Sequence, residues 1–136
     1  MILTDTGPLV ALVNRNDPNH AQCIAAAKRL PAEPLVTTWP CFTEAMYLVH
    51  RAGGYPAQVA LWELWRAGRL RLHVPAEAEI AQMVELMRVY RDIPMDLADA
   101  SIVAAADSLA QRRVFSLDRH FFAYQVTGGS GFEVVP

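Results

Sequence analysis

"MILTDTGPLVALV", residues 1–13, runs from a short apolar segment into an acid, Asp5, and then through a Thr-Gly-Pro turn into a short helix. The same form, an apolar run closed by an aspartate, returns in "VFSLD", residues 114–118. Between and beyond these two lie further strand candidates, "PLVTT" at 34–38, "LRLHV" at 70–74 and "FEVVP" at 132–136. Helical segments separate them. Residues 18–30 open on proline and space Cys23, Ala26, Ala27 and Leu30 at i, i+3, i+4 and i+7, as an amphipathic helix does. "PCFTEAMYLVHRAGG" and "YPAQVALWELWRAGR" read as two helices, each stopped by glycine. A long helix covers roughly 76–91, and another starts near Met95–Asp96, after Pro94, and runs to Arg112 or Arg113. Strands alternating with helices imply βαβ units, so the expected fold class is α/β: a three-layer α/β/α sandwich around a mostly parallel sheet. With no linker, repeat or low-complexity stretch, residues 1–136 read as a single domain.

Bulk properties narrow the function. A hydrophobic fraction of 53% with 19% charge is that of a folded chain, and a formal charge of −2 provides no basic field for nucleic acid. An enzyme that clusters acids around a metal is compatible with that balance. Eleven of the twelve basic residues are arginine. Cys23 and Cys41 form no metal or redox spacing and read as reduced, buried thiols. No basic leader and no apolar run of about 18 residues is present, so a cytoplasmic protein without a membrane segment is expected.

The acids carry the chemistry. Asp5 and Asp118 close two strand candidates, and ligands of open parallel sheets bind beyond the carboxyl ends of the strands. Each also suits a simple turn. Glu44 shares a helix side with Pro40, Cys41, Tyr47 and Leu48, where a carboxylate needs a cation or an arginine partner. Arg51, at i+7, is too far along the helix to serve. Asp96 and Asp99 stand at i and i+3 at the mouth of an Ala-rich helix, where one acid caps well and two repel. Four sequence-distant acidic segments aimed at one sheet edge suit Mg²⁺ or Mn²⁺, which prefer oxygen donors and keep waters.

"LTDTGPLVAL", "TEAMYLV", "MDLADASIVAAA" and "FSLDRHF" occur in the order and form of the PIN-domain family, and the chain resembles its bacterial VapC-like toxins over essentially its whole length. The third block is the most specific. The resemblance implies a metal-dependent endoribonuclease, the toxin of a toxin–antitoxin pair, with Asp5, Glu44 and Asp99 matching the family's three main acids and Asp118 the fourth. It implies Mg²⁺, or Mn²⁺, as cofactor, RNA as substrate, a cognate antitoxin and a homodimer as partners. Asp96 falls where relatives vary and is an accessory or capping acid, while Thr6 and Ser116 match small hydroxyl positions near the metal. Arg119, and the group Arg66, Arg69 and Arg71, are candidates for contact with flanking RNA phosphates. Trp62 and Trp65 fit core packing ahead of an interface. None of His20, His50, His73 and His120 has metal-ligand spacing.

Two other classes compete. Phosphoryl-transfer folds also open with a strand ending in Asp, but the haloacid-dehalogenase pattern needs a second Asp where this chain has Gly7, and no lysine follows Lys28 to handle a phosphate. A non-catalytic PIN-like module that binds RNA or protein would tolerate gaps in the acid set, and none is visible.

Overall fold

The computed structural model describes all 136 residues, Met1–Pro136. Five strands, β1 (Ile2–Thr4), β2 (Leu35–Thr38), β3 (Leu70–His73), β4 (Arg113–Phe115) and β5 (Glu133–Val135), form one parallel sheet in the order β3-β2-β1-β4-β5. Five helices connect them: α1 (Thr6–Val13), α2 (His20–Arg29), α3 (Trp39–Arg66), α4 (Glu77–Val89) and α5 (Leu97–Leu109). A 3-10 turn at Arg119–Phe122 follows β4. No helix is long and apolar enough to cross a membrane.

Strand alternation assigns the layers. Leu3, Val36 and Val114 turn to the face covered by α5 and, outside it, α4. Ile2 and Phe115 turn to the other face against Ala11 of α1 and Cys23 and Ala26 of α2, and Leu70 packs there with Leu9, Phe42 and Leu61. The expected sandwich is therefore present. Small side chains let α5 lie close on the sheet, and every residue from Ala98 to Ala106 is buried.

Several boundaries differ from the sequence reading, each for a local reason. Neither β1 nor β4 reaches its aspartate. Asp5 leaves the strand to cap α1, and β4 ends at Phe115 because Ser116 and Asp118 bond to each other and lead into the 3-10 turn. Helix α5 stops at Leu109 because Ala110 takes a left-handed conformation (φ 52°), which frees Arg113 to begin β4. The two helices foreseen between 40 and 69 are arms of one helical run, kinked where Gly54 adopts φ 69°. The arms lie side by side: Gln58 Nε2 donates to the Met46 carbonyl, and the Phe42 and Trp62 rings meet edge to face at 5.0 Å.

Trp62 and Trp65 are not core residues. They are 38% and 49% exposed, because Phe42, Ala45, Val49 and Leu61 already fill the buried face of α3. Both cysteines are buried free thiols.

Candidate active site

The carboxyl ends of the central strands open into a cleft of about 290 Å³. Its walls come from the start of α1 (Asp5, Thr6, Gly7), the first arm of α3 (Glu44, Leu48), the start of α5 (Asp96, Ala98, Asp99) and the loop after β4 (Leu117, Asp118). The topology accounts for this convergence: β1 is central, β4 and β2 flank it, and each hands its chain upward into the cleft. Gly7 lets α1 pass close to that loop, since a Cβ there would stand 3.3 Å from the Leu117 side chain.

Asp5 is buried and held on both oxygens. Its Oδ1 accepts the Thr6 N–H at 2.8 Å and the Cys41 thiol at 3.6 Å, and its Oδ2 accepts the Ser116 hydroxyl at 2.9 Å. Ser116 Oγ in turn accepts the Asp118 N–H at 2.9 Å, tying two candidate acids together through one hydroxyl. Asp118 Oδ1 accepts the His120 N–H at 2.9 Å and lies 3.3 Å from His120 Nδ1. Thr6 directs its hydroxyl to the Cys41 carbonyl, so its link to Asp5 is through the backbone. Thr38 and Ser101 share a 2.6 Å hydroxyl bond that fixes the first turn of α5 against β2.

Asp96 and Asp99 form a reciprocal capping box: Asp96 Oδ1 accepts the Asp99 N–H at 2.8 Å, and Asp99 Oδ2 accepts the Asp96 N–H at 3.3 Å. Capping and cleft lining thus coexist in the same pair. Burial, followed by the Asp96 charge, lifts the Asp99 carboxyl to about 7, with Asp5 and Asp118 adding to the effect. Burial likewise raises Asp5, against the hydrogen bonds from Thr6 and Ser116. Glu44 is raised by partial burial and then by Asp96 and Asp5.

Glu44 corrects one expectation. It is exposed on the cleft rim and not buried on an apolar side, and it has no salt bridge or hydrogen bond to the protein. Arg51 lies over the Tyr47 ring instead. The arginines are placed differently from one another. Arg119 is exposed beside Asp118 but does not line the cleft. Arg66 pairs with Glu63, and Arg66 and Arg69 precede β3, at the opposite end of the sheet from the acids. Arg71 is exposed within edge strand β3.

Oxygen-only donors, raised carboxyls and the absence of any Lys or Arg partner for the five acids fit a hard divalent cation. No three of the His, Cys, Asp and Glu side chains are gathered closely enough to cage an ion by themselves. Mg²⁺ needs only one or two carboxylates when water and phosphate complete its shell. Asp5, Asp99 and Asp118 are the residues that could hold it, with Glu44 at the rim.

Two contributors went unforeseen. The Cys41 thiol was expected only as buried packing, and Tyr124, whose hydroxyl reaches Asp99 Oδ2 at 3.2 Å, lies in a stretch with no periodicity to mark it.

No protein-family model matches the chain. Ribonuclease VapC26 of Mycobacterium tuberculosis is 32% identical over 139 residues, covering 99% of this chain and all of the relative. Among solved structures, M. tuberculosis VapC20, a sarcin–ricin loop cleaving toxin, superposes with a TM-score of 0.85 at 21% identity and full coverage of both chains. VapBC2 from Rickettsia felis, bound to a promoter DNA fragment, gives 0.67 at 14% identity, also with full coverage. The last two similarities establish the fold. Identity to VapC26 at this level and over this length establishes the family: the chain belongs to the VapC-like toxins of the PIN-domain family.

Proposed function

We propose that the chain is a divalent-cation-dependent endoribonuclease that acts as the toxin of a toxin–antitoxin pair. The observation that carries this reading is the convergence of Asp5, Glu44, Asp99 and Asp118, from four separate segments, on one cleft without a lysine or arginine partner. Bound among them, Mg²⁺ or Mn²⁺ supplies the positive charge that neutralises the cluster, activates water and stabilises charge on the phosphate.

The protein's own contributions follow from its hydrogen bonds. Asp5 is immobilised by Ser116 and Thr6, and Asp99 by its capping partner, so both present fixed oxygens. Glu44 is solvent-accessible and unpaired at the rim, which suits a group that orients the attacking water and takes its proton. Arg119, exposed beside Asp118, is our candidate for contact with a phosphate flanking the scissile one. A cognate antitoxin is proposed from the likeness to VapBC2.

Cleavage of total RNA, ribosomal RNA included, by purified antitoxin-free protein tests the reading. Cutting that needs Mg²⁺ or Mn²⁺ and stops with EDTA is expected. Folded protein that cuts no RNA and binds no Mn²⁺ would identify a non-catalytic PIN-like binding module instead.

We propose a homodimer that packs through α4. Ile80, Val84 and Met87, spaced i, i+4 and i+7, are 49%, 70% and 37% exposed along one stripe. Glu77 lies at one end of that stripe and Arg91 just beyond the other, so two copies packed antiparallel about Val84 bring opposite charges together. Sedimentation velocity is expected to show a dimer for the native chain and a monomer for Val84→Glu. A native monomer at tens of micromolar would remove the assignment.

A further inference from the structure

Tyr124 is the one fully buried tyrosine, and its hydroxyl ends on a carboxylate of the cleft. Its ring lies edge to face against Tyr90 and Phe121, with centroids 5.1 and 5.2 Å away. The hydroxyl donates to Asp99 Oδ2 at 3.2 Å, and the same oxygen accepts the Asp96 N–H at 3.3 Å. Asp99 Oδ1 accepts nothing from the protein. The two oxygens of one carboxylate are therefore divided, one occupied by the fold and one left for the cleft.

We propose that Tyr124 is a positioning residue of the nuclease site: by holding Oδ2, its hydroxyl presents Oδ1 of Asp99 alone to a cation. The proposal rests on the nuclease reading above. Packing alone does not call for a hydroxyl here, because phenylalanine would make the same ring contacts and leave no buried polar atom to satisfy.

The segment that carries Tyr124 is clamped. The Gln125 N–H donates to the Tyr90 hydroxyl at 3.1 Å, and Thr127 donates to Asp107 from its N–H at 2.8 Å and its hydroxyl at 2.7 Å. Gln82 of α4 donates to the same Asp107 carboxylate. Because Asp107 and Asp99 belong to one helix, the donor and its acceptor are fixed to a common frame.

Titration calorimetry of Mn²⁺ alone into RNA-free protein tests this, beside melting curves in EDTA. Tyr124→Phe is expected to keep its fold and bind Mn²⁺ about 10–100-fold more weakly, the usual cost of losing a partner of a metal ligand. The cleavage kcat should fall with it, while KM for RNA stays within about twofold. Thr127→Val, which loosens the clamp away from the cleft, should weaken Mn²⁺ binding in the same direction and stands in if Tyr124→Phe does not fold. Native-like Mn²⁺ affinity in the folded variants overturns the proposal. Should native protein bind Mn²⁺ and cut RNA while Tyr124→Phe matches it, only this inference falls. Native protein that neither binds Mn²⁺ nor cuts RNA defeats the nuclease reading and this one together.

Discussion

Asp99→Asn is expected to abolish cleavage and, in the same protein, to raise the melting temperature measured in EDTA. Asparagine is isosteric with aspartate. Its amide oxygen can keep the bonds from Tyr124 and the Asp96 N–H, which places the uncharged nitrogen where Oδ1 faced the cleft. The cluster then loses one negative charge next to Asp5, Asp96 and Asp118, all of which disfavour ionised Asp99 in the native protein. Relief of that repulsion stabilises the cation-free fold by roughly 1 kcal/mol or more, or a few degrees in a domain of this size. Losing the ligand itself lowers cleavage by more than about a hundredfold, since even an outer partner of a metal ligand is worth up to that much. Gel assays with Mn²⁺ and calorimetric melting in EDTA check the two halves separately. A variant that still cuts within a few-fold of native, or one that melts lower in EDTA, contradicts the assignment of Asp99.

Stability and activity should respond to pH in opposite directions. Asp99 is lifted to about 7, and Asp5 and Glu44 are lifted as well. Acids raised in the folded state favour folding while protonated. Their contribution is complete below about pH 4, where the unfolded carboxyls titrate, and is lost as pH rises through the folded values. In EDTA the protein should therefore lose on the order of 2–4 kcal/mol between about pH 4 and pH 8, chiefly through Asp99, with exposed Glu44 screened by solvent and adding little. Glu79 acts with the opposite sign: burial alone would raise it, but the hydrogen bonds from His73 and Ser108 and the His73 charge lower it on balance. Its contribution disappears only in acid, as pH falls through its depressed value, so it does not mask the trend above pH 5. Saturating Mn²⁺ should reverse the slope, because cation binding requires the ionised carboxylates. At subsaturating Mn²⁺ cleavage should therefore rise with pH, because protons and the cation compete for the same carboxylates. Melting curves from pH 5 to 8, with EDTA and with Mn²⁺, decide the matter; a flat EDTA series would mean that the carboxyls are not held back by one another.

Much of this arrangement is legible in the chain because it depends on local rules. Alternating apolar runs and helical spacings specify the sheet and its layers, and acids at strand ends must emerge at the sheet's carboxyl edge. Helix α5 and both of its acids follow from Pro94, Asp96 and the alanine run. Other features depend on partners distant in sequence. The exposure of Trp62 is decided by Phe42 having already filled the buried face of α3, and Glu44 stands at the rim because Phe42, Ala45 and Val49 take the buried side of the same arm. Arg66 and Arg69 look as suitable for phosphate as Arg119 until the sheet shows that they lie at its other end. Tyr124 could not be chosen from its segment, since nothing in "FFAYQVTGGSG" says which aromatic ring will point inward. Capping and ligation also could not be separated by spacing, and the structure shows why: Asp99 gives Oδ2 to the cap and leaves Oδ1 without a protein partner.

The bond from Ser116 to Asp5 joins residues 111 positions apart and holds the central strand's acid in place. Translation delivers those two residues in that order, at roughly 5–20 residues per second, so on the order of ten seconds separates them. Throughout that interval β1 has no β4 beside it, Asp5 lacks its hydroxyl partner, and Asp118 and Tyr124 do not yet exist. Chain order thus works as a timer: a nascent nuclease surrounded by messenger, transfer and ribosomal RNA carries no assembled site until residue 124 has cleared the ribosomal exit tunnel.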